Sequence, residues 1–233
     1  MVRAIARRLD RVLALALLLL AVYAATLAAR AWQVQRFESA LIRLEASRHR
    51  DPAGRPEVLA LAGSSGRWVA QPVARLGAAE LELRARWQRA VAERSGSDAD
   101  RRAALRAARI DLQRASALRP DWPYASAALA EVLAAEGSFG VDLRSAFQSA
   151  LARGPNEPRL LRQLLDLALA HRQRWPATLE TDLRRVALRL DAIDPHRLLA
   201  IAQRRQALDW LCAIEGVSTS VHNACRSQAR AQE

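Results

Sequence analysis

The chain contains no lysine: all 36 basic residues are arginine, set against 24 acids, for a formal charge of +12. Aromatic residues make up 5% of it and β-branched residues are sparse, so little of the sequence favours sheet. Nine glycines and nine prolines in 233 residues leave long stretches of Ala, Leu and Arg, a helical composition. Catalytic signatures are missing too. There is no G-x-S-x-G elbow, no H-E-x-x-H and no phosphate-cradling G-x-x-x-x-G-K-S/T. Gly63-Ser-Ser-Gly66 lacks a strand context and reads as a turn. His49, His171, His196 and His222 lie far apart, and none shares metal-ligand spacing with either cysteine. Glu80 with Glu82 and Asp191 with Asp194 are the nearest things to acid–base pairs, but such pairs are more often solvated helix positions or caps. No catalytic, cofactor-binding or metal-binding residue is therefore assigned. The arginines are interleaved with acids along the chain, not gathered into one arm, which predicts solvated helix faces and no nucleic-acid partner.

What is present begins with Arg3, Arg7, Arg8 and Arg11 against the single acid Asp10, followed by eighteen uncharged residues from Val12 to Ala29. A helix of that length covers about 27 Å, enough for the hydrocarbon core of a bilayer. Arg30 and Trp32 suit the far interface. The arginine excess before the apolar run predicts a single-pass inner-membrane protein with a cytoplasmic N-terminus and an exported, periplasmic domain. A cleavable signal peptide ending near Ala29-Arg30-Ala31 is the alternative. Residues 1–31 are assigned to the cytoplasmic tip and anchor, 32–54 to a juxtamembrane helix, 55–212 to a helical domain and 213–233 to a C-terminal loop and tail.

One pattern recurs in the helical domain. Ala108, Leu112, Ala115 and Pro120 are spaced by four, three and five residues, and Leu143, Phe147, Ala150 and Pro155 repeat that spacing. On a helix the first three side chains fall on one stripe and the proline ends the run. Leu183, Ala187, Leu190 and Pro195 give it again. Between the first two copies, Trp122-Pro123 opens a helix carrying Leu129, Ala130 and Leu133, and Gly137-Ser-Phe-Gly140 turns the chain back. Asp98 or Asp100 is expected to cap the helix before Pro120, and Asp142 the helix holding Phe147. One helix from His196 to Cys212 is expected to close the stack, with Gln203, Arg204, Arg205 and Asp209 as its polar outer face. Pro52, Pro120, Pro155 and Pro195 are 68, 35 and 40 residues apart, against a tetratricopeptide period of about 34. The expected fold is all-α: a transmembrane helix followed by stacked tetratricopeptide-like helix pairs, with Ala108, Leu112, Ala115, Leu129, Ala130, Phe147, Ala150, Leu183 and Ala187 in the repeat core.

The run Leu118-Arg-Pro-Asp-Trp-Pro-Tyr124, then Leu129-Ala-Glu-Val-Leu133 and Ala150-Leu-Ala-Arg-Gly-Pro-Asn-Glu-Pro158, resembles the VpsP family, and Trp175, Cys212 and Cys225 are similar in placement. The resemblance runs from about residue 100 onward. It implies an inner-membrane-anchored protein working beside exopolysaccharide biosynthesis machinery; where family members commonly carry an aromatic, this chain has Asn156. No catalytic residue comes with it. The expectation is a non-enzymatic scaffold whose partners are the membrane and protein components of polysaccharide assembly or export. The alternatives are a general envelope interaction scaffold or a carbohydrate-active enzyme of another type.

Trp122, Tyr124 and Trp175 are the candidate ligand or partner contacts, because aromatic faces beside arginines suit sugar rings and acidic glycans. The alternative is that tryptophans next to proline lock turns between helices. Cys212 and Cys225 have twelve residues between them, including Gly216 and three hydroxyl residues, enough flexible chain for a disulfide in an oxidising compartment. Against that stands a buried apolar Cys212 with a free Cys225 thiol in a tail.

Overall fold

Alanine-rich and leucine-rich segments with few breakers give helices throughout. The computed structural model describes residues 2–47, 72 and 76–231, and among them are ten α-helices and no strand. The chain divides into two units, Met1–Ala70 and Gln71–Glu233.

The described part of the first unit is one helix, α1 (Val2–Ser47). No proline or glycine occurs between those limits, so nothing in the sequence interrupts the backbone ladder at the 31/32 boundary. Within it, Leu15–Arg43 contains a stretch long and apolar enough to cross a membrane, by length and composition, and none of that stretch is buried. Phe37 and Leu41 are buried, while Trp32 is well exposed. Pro52, the Gly63–Gly66 turn and the 54/55 boundary lie outside the described residues.

The second unit contains α2 (Ala78–Arg94), α3 (Asp98–Leu118), α4 (Pro123–Ala135), α5 (Val141–Arg153), α6 (Pro158–Ala170), α7 (Glu180–Ile193), α8 (Pro195–Arg204), α9 (Leu208–Cys212) and α10 (Thr219–Ala231). Two 3₁₀ turns, Arg172–Arg174 and Ala177–Leu179, link α6 to α7. Prolines set the starts: Pro123, Pro158 and Pro195 each occupy the first turn, where the missing N–H costs nothing and φ is already helical. Gly137, at φ 79°, ends α4 with Ser138 N–H bonded to Leu133 O and Gly137 N–H to Ala134 O. Gly154 serves a close approach: a Cβ there would lie 2.5 Å from Leu160 Cδ2 and 3.1 Å from Pro123 Cγ, which brings the end of α5 against the starts of α4 and α6.

Several helix limits differ from the sequence expectation. Ser97, not an aspartate, caps α3, its side chain accepting from Asp100 N–H. Gly140 occupies the N-cap of α5 and Asp142 lies in its first turn, where a negative charge still favours the helix dipole. The stretch His196–Cys212 is two helices. Gln206 takes φ 51°, and Ala207 N–H bonds back to Ala202 O at 2.8 Å, the termination usually made with glycine. Beyond Cys212, α10 packs on α8 and α9 and buries Val221.

Packing follows chain order, α2 on α3, α4 on α5 and α6 on α7, with α3, α5 and α7 each also meeting the next helix. A second set of contacts skips one helix: α2 meets α4, α4 meets α6 and α6 meets α8. One core, from Ala127 to Val221, runs through α4 to α10, with Phe147, Leu160, Leu161, Leu164 and Leu165 at its centre. A smaller one, with Ala85, Leu105, Ala108, Leu112 and Val132, joins α2, α3 and α4. Of the residues assigned to the repeat core, Leu129 is half-buried and the other eight are at most 1% exposed.

Candidate ligand-binding face

The α2, α4, α6 and α8 row presents the side chains with the most binding chemistry. Trp122 is the N-cap residue of α4 and is 36% exposed. Its ring centroid is 5.1 Å from that of Tyr124, tilted by 50°, and the Arg119 guanidinium lies 4.6 Å from the Trp122 ring. The indole Nε1–H donates to Glu82 of α2 at 3.2 Å. Burial pushes the Glu82 carboxyl above its usual range, against the lowering effect of the Trp122 hydrogen bond and of Arg119 and Arg86. From α6, the Arg159 guanidinium lies 5.7 Å from the Tyr124 ring. Desolvation and a hydrogen bond to Glu157 raise the Tyr124 phenol, so it stays a neutral donor at physiological pH. The sequence-predicted pair Trp122 and Tyr124 thus forms one surface with guanidinium donors and carboxylate acceptors.

Trp175 is elsewhere. Its ring meets the fully buried Phe147 edge-on, with centroids 5.3 Å apart, and its Nε1 is buried without a hydrogen-bond partner. That environment makes it a packing residue, and the Trp-Pro step it shares with Trp122 does not distinguish the two.

A second polar cluster lies at the other end of α6, and the sequence reading missed it. Asp166 accepts from Arg204 Nη2 at 2.8 Å and from Arg205 through Nε and Nη2 at 2.8 and 2.7 Å, a two-point fork. Burial pushes the Asp166 carboxyl up, but the Arg205 and Arg204 hydrogen bonds outweigh it and hold it below its usual range, while Asp166 raises Arg205 in turn. His171, at the C-cap of α6, has its ring 5.5 Å from Phe139. Burial, then Arg174 and Arg205, depress its pKa. Arg174 lies 4.9 Å from the Phe139 ring and Arg172 5.1 Å from the Trp210 ring. Two of these guanidiniums stack on aromatic rings, and Glu180 accepts from the Trp210 Nε1–H at 2.9 Å.

The acid pairs each go to separate structural partners. Glu80 accepts from Gly77 N–H at 2.7 Å. Asp191 accepts from the Ser218 N–H and hydroxyl at 2.5 and 2.7 Å, and Asp194 caps α8 through Arg197 N–H at 3.0 Å. Among the described residues no three or more His, Cys, Asp or Glu are placed to hold a metal ion together. Another feature unread in the sequence is a buried ion pair. Arg84 of α2 donates to both oxygens of Asp111 of α3, at 2.7 and 2.5 Å, with both side chains at most 5% exposed. Cys212 and Cys225 stand at disulfide distance, with Sγ atoms 2.00 Å and Cα atoms 5.7 Å apart, joining α9 to α10.

Comparison of the chain with protein-family models, with curated proteins and with solved structures finds no match in any of the three.

Proposed function

We propose that the chain is a membrane-anchored, non-enzymatic scaffold of tetratricopeptide-like helix pairs that supports exopolysaccharide biosynthesis or export. The α1 segment anchors it, with residues 1–11 in the cytoplasm and the helical unit in the periplasm, because the arginine-rich end stays on the cytoplasmic side. The observation that carries the scaffold reading is the direct contact between alternate helices. Gln148 of α5 donates to Asp182 of α7, and Arg189 of α7 donates to Pro155 O just beyond α5. Together with the other contacts that skip one helix, this is what is expected when each helix pair stacks on the next. The row of α2, α4, α6 and α8 is then the face that receives partners. The resemblance of residues 118–158 to the VpsP family supports the polysaccharide setting.

Compartment is tested together with the cysteines. A periplasm-dependent reporter fused after Glu233 is expected to be active, and the protein to sediment with membranes. Alkylation without reductant is expected to add no mass at Cys212 or Cys225, since thiols in reach pair in an oxidising compartment. A soluble mature form starting near Trp32 would replace the anchor with a signal peptide, and two alkylated thiols on exported protein would rule the bond out. The role itself is tested by whether deleting the gene lowers secreted polysaccharide.

A further inference from the structure

The two polar clusters are joined by the open face of α6. Its buried positions are Leu160, Leu161, Leu164, Leu165 and 167–169, which leaves Arg159, Arg162, Gln163 and Asp166 as a polar ridge at helical spacing. A helix of thirteen residues is about 20 Å long. The ridge therefore runs from the Trp122–Tyr124 platform at one end of α6 to His171 and four arginines, Arg172, Arg174, Arg204 and Arg205, at the other. Asp166 is the carboxylate that bonds two of the four, Arg204 and Arg205. The His171 pKa is depressed first by burial and then by Arg174 and Arg205, which lie close enough to act on it.

We propose that this strip binds an extended segment of a linear acidic polysaccharide, with sugar rings on the Trp122–Tyr124 end and carboxylates on the Arg172–Arg174 end. The proposal rests on the polysaccharide reading above and specifies the ligand. Three features select this occupant. Cationic groups spread along about 20 Å cannot all converge on one phosphate, so the ligand is extended. An exposed indole beside a phenol offers flat apolar area to a ring. Glu82 and Glu157 beside those rings accept hydrogen bonds from hydroxyls but would repel a dense polyanion such as nucleic acid or polyglutamate.

The test uses the full-length chain in nanodiscs of zwitterionic lipid, titrated with an oligomer of galacturonic acid, a neutral dextran oligomer of equal length and poly-L-glutamate. Saturable binding of the uronate oligomer is expected, at least a hundredfold tighter than dextran and at least tenfold tighter than polyglutamate. R172Q/R174Q is expected to weaken it tenfold or more, and W122A to weaken it at all salt concentrations. R106Q/R114Q removes the same charge from exposed positions on α3 and is expected to change binding less than twofold. All variants are compared by thermal melting, since these side chains are on the surface. Equal loss in the α3 control would reduce the binding to non-specific charge, and polyglutamate binding as tightly would make the strip a site for acidic peptide. Either result, or no uronate binding, overturns the proposal. If deletion of the gene still lowers secreted polysaccharide in that case, the scaffold reading survives; unchanged secretion beside tight uronate binding would sink that reading and not the site.

Discussion

Replacing Phe147 by Asp is expected to unfold the helical unit. Phe147 is fully buried in the main core, edge-on to Trp175 and in the middle of the second copy of the apolar spacing, on α5. Truncating a buried Phe costs about 3–5 kcal/mol through lost transfer energy and the cavity left behind. A carboxylate in that cavity adds a desolvation penalty of several kcal/mol more. Against a stability of about 5–15 kcal/mol for a whole domain, the sum removes most or all of it. Far-ultraviolet circular dichroism of the purified chain should show most of the helical signal of the second unit gone at 37 °C. A melting curve within a few degrees of wild type would contradict the core described here.

The second large effect is at the buried ion pair. Asp111→Leu leaves the Arg84 guanidinium in a nearly dry position, and breaking one side of a buried pair typically costs about 3–5 kcal/mol. For a unit of this size that is a fall in Tm of roughly 10 °C. Changing both, Arg84→Met with Asp111→Leu, is expected to recover most of the loss, because two desolvated charges are replaced by apolar packing. Urea melts of the two single variants and the double give the coupling energy directly. If Asp111→Leu cost less than about 1 kcal/mol, the pair would be an ordinary surface bridge despite its burial.

The helical class was legible because composition and breakers carry it: few β-branched residues, and prolines at helix starts that need no knowledge of tertiary structure. The spacing of Leu143, Phe147 and Ala150 is likewise local, since one stripe of one helix decides burial. What the sequence could not supply were contacts across it. Arg84 and Asp111 are 27 residues apart, and each taken alone looks like one more solvated charge. Trp122 and Trp175 have the same Trp-Pro signature, yet only the second meets Phe147, 28 positions earlier. The break at Gln206 was hidden because glutamine occupies a left-handed position where glycine is the usual marker. Along α6, Asp166 and Arg205 belong to different helices, so the arginine cluster emerges only when α8 packs on α6. In α1, by contrast, the absence of breakers was visible, and one helix runs from Val2 to Ser47.

The central proposal is that the protein holds polysaccharide machinery together without performing chemistry itself. It is tested most directly by the amount of polysaccharide secreted from a strain lacking the gene and carrying plasmid-borne variants. Deletion is expected to lower secretion and the wild-type chain to restore it. His171→Ala, His196→Ala, Glu80→Ala and Asp191→Ala are each expected to restore it largely, because a scaffold has no indispensable proton donor or acceptor. A single one of these substitutions abolishing secretion, with the fold intact by circular dichroism, would contradict the account, as would a deletion that leaves secretion unchanged.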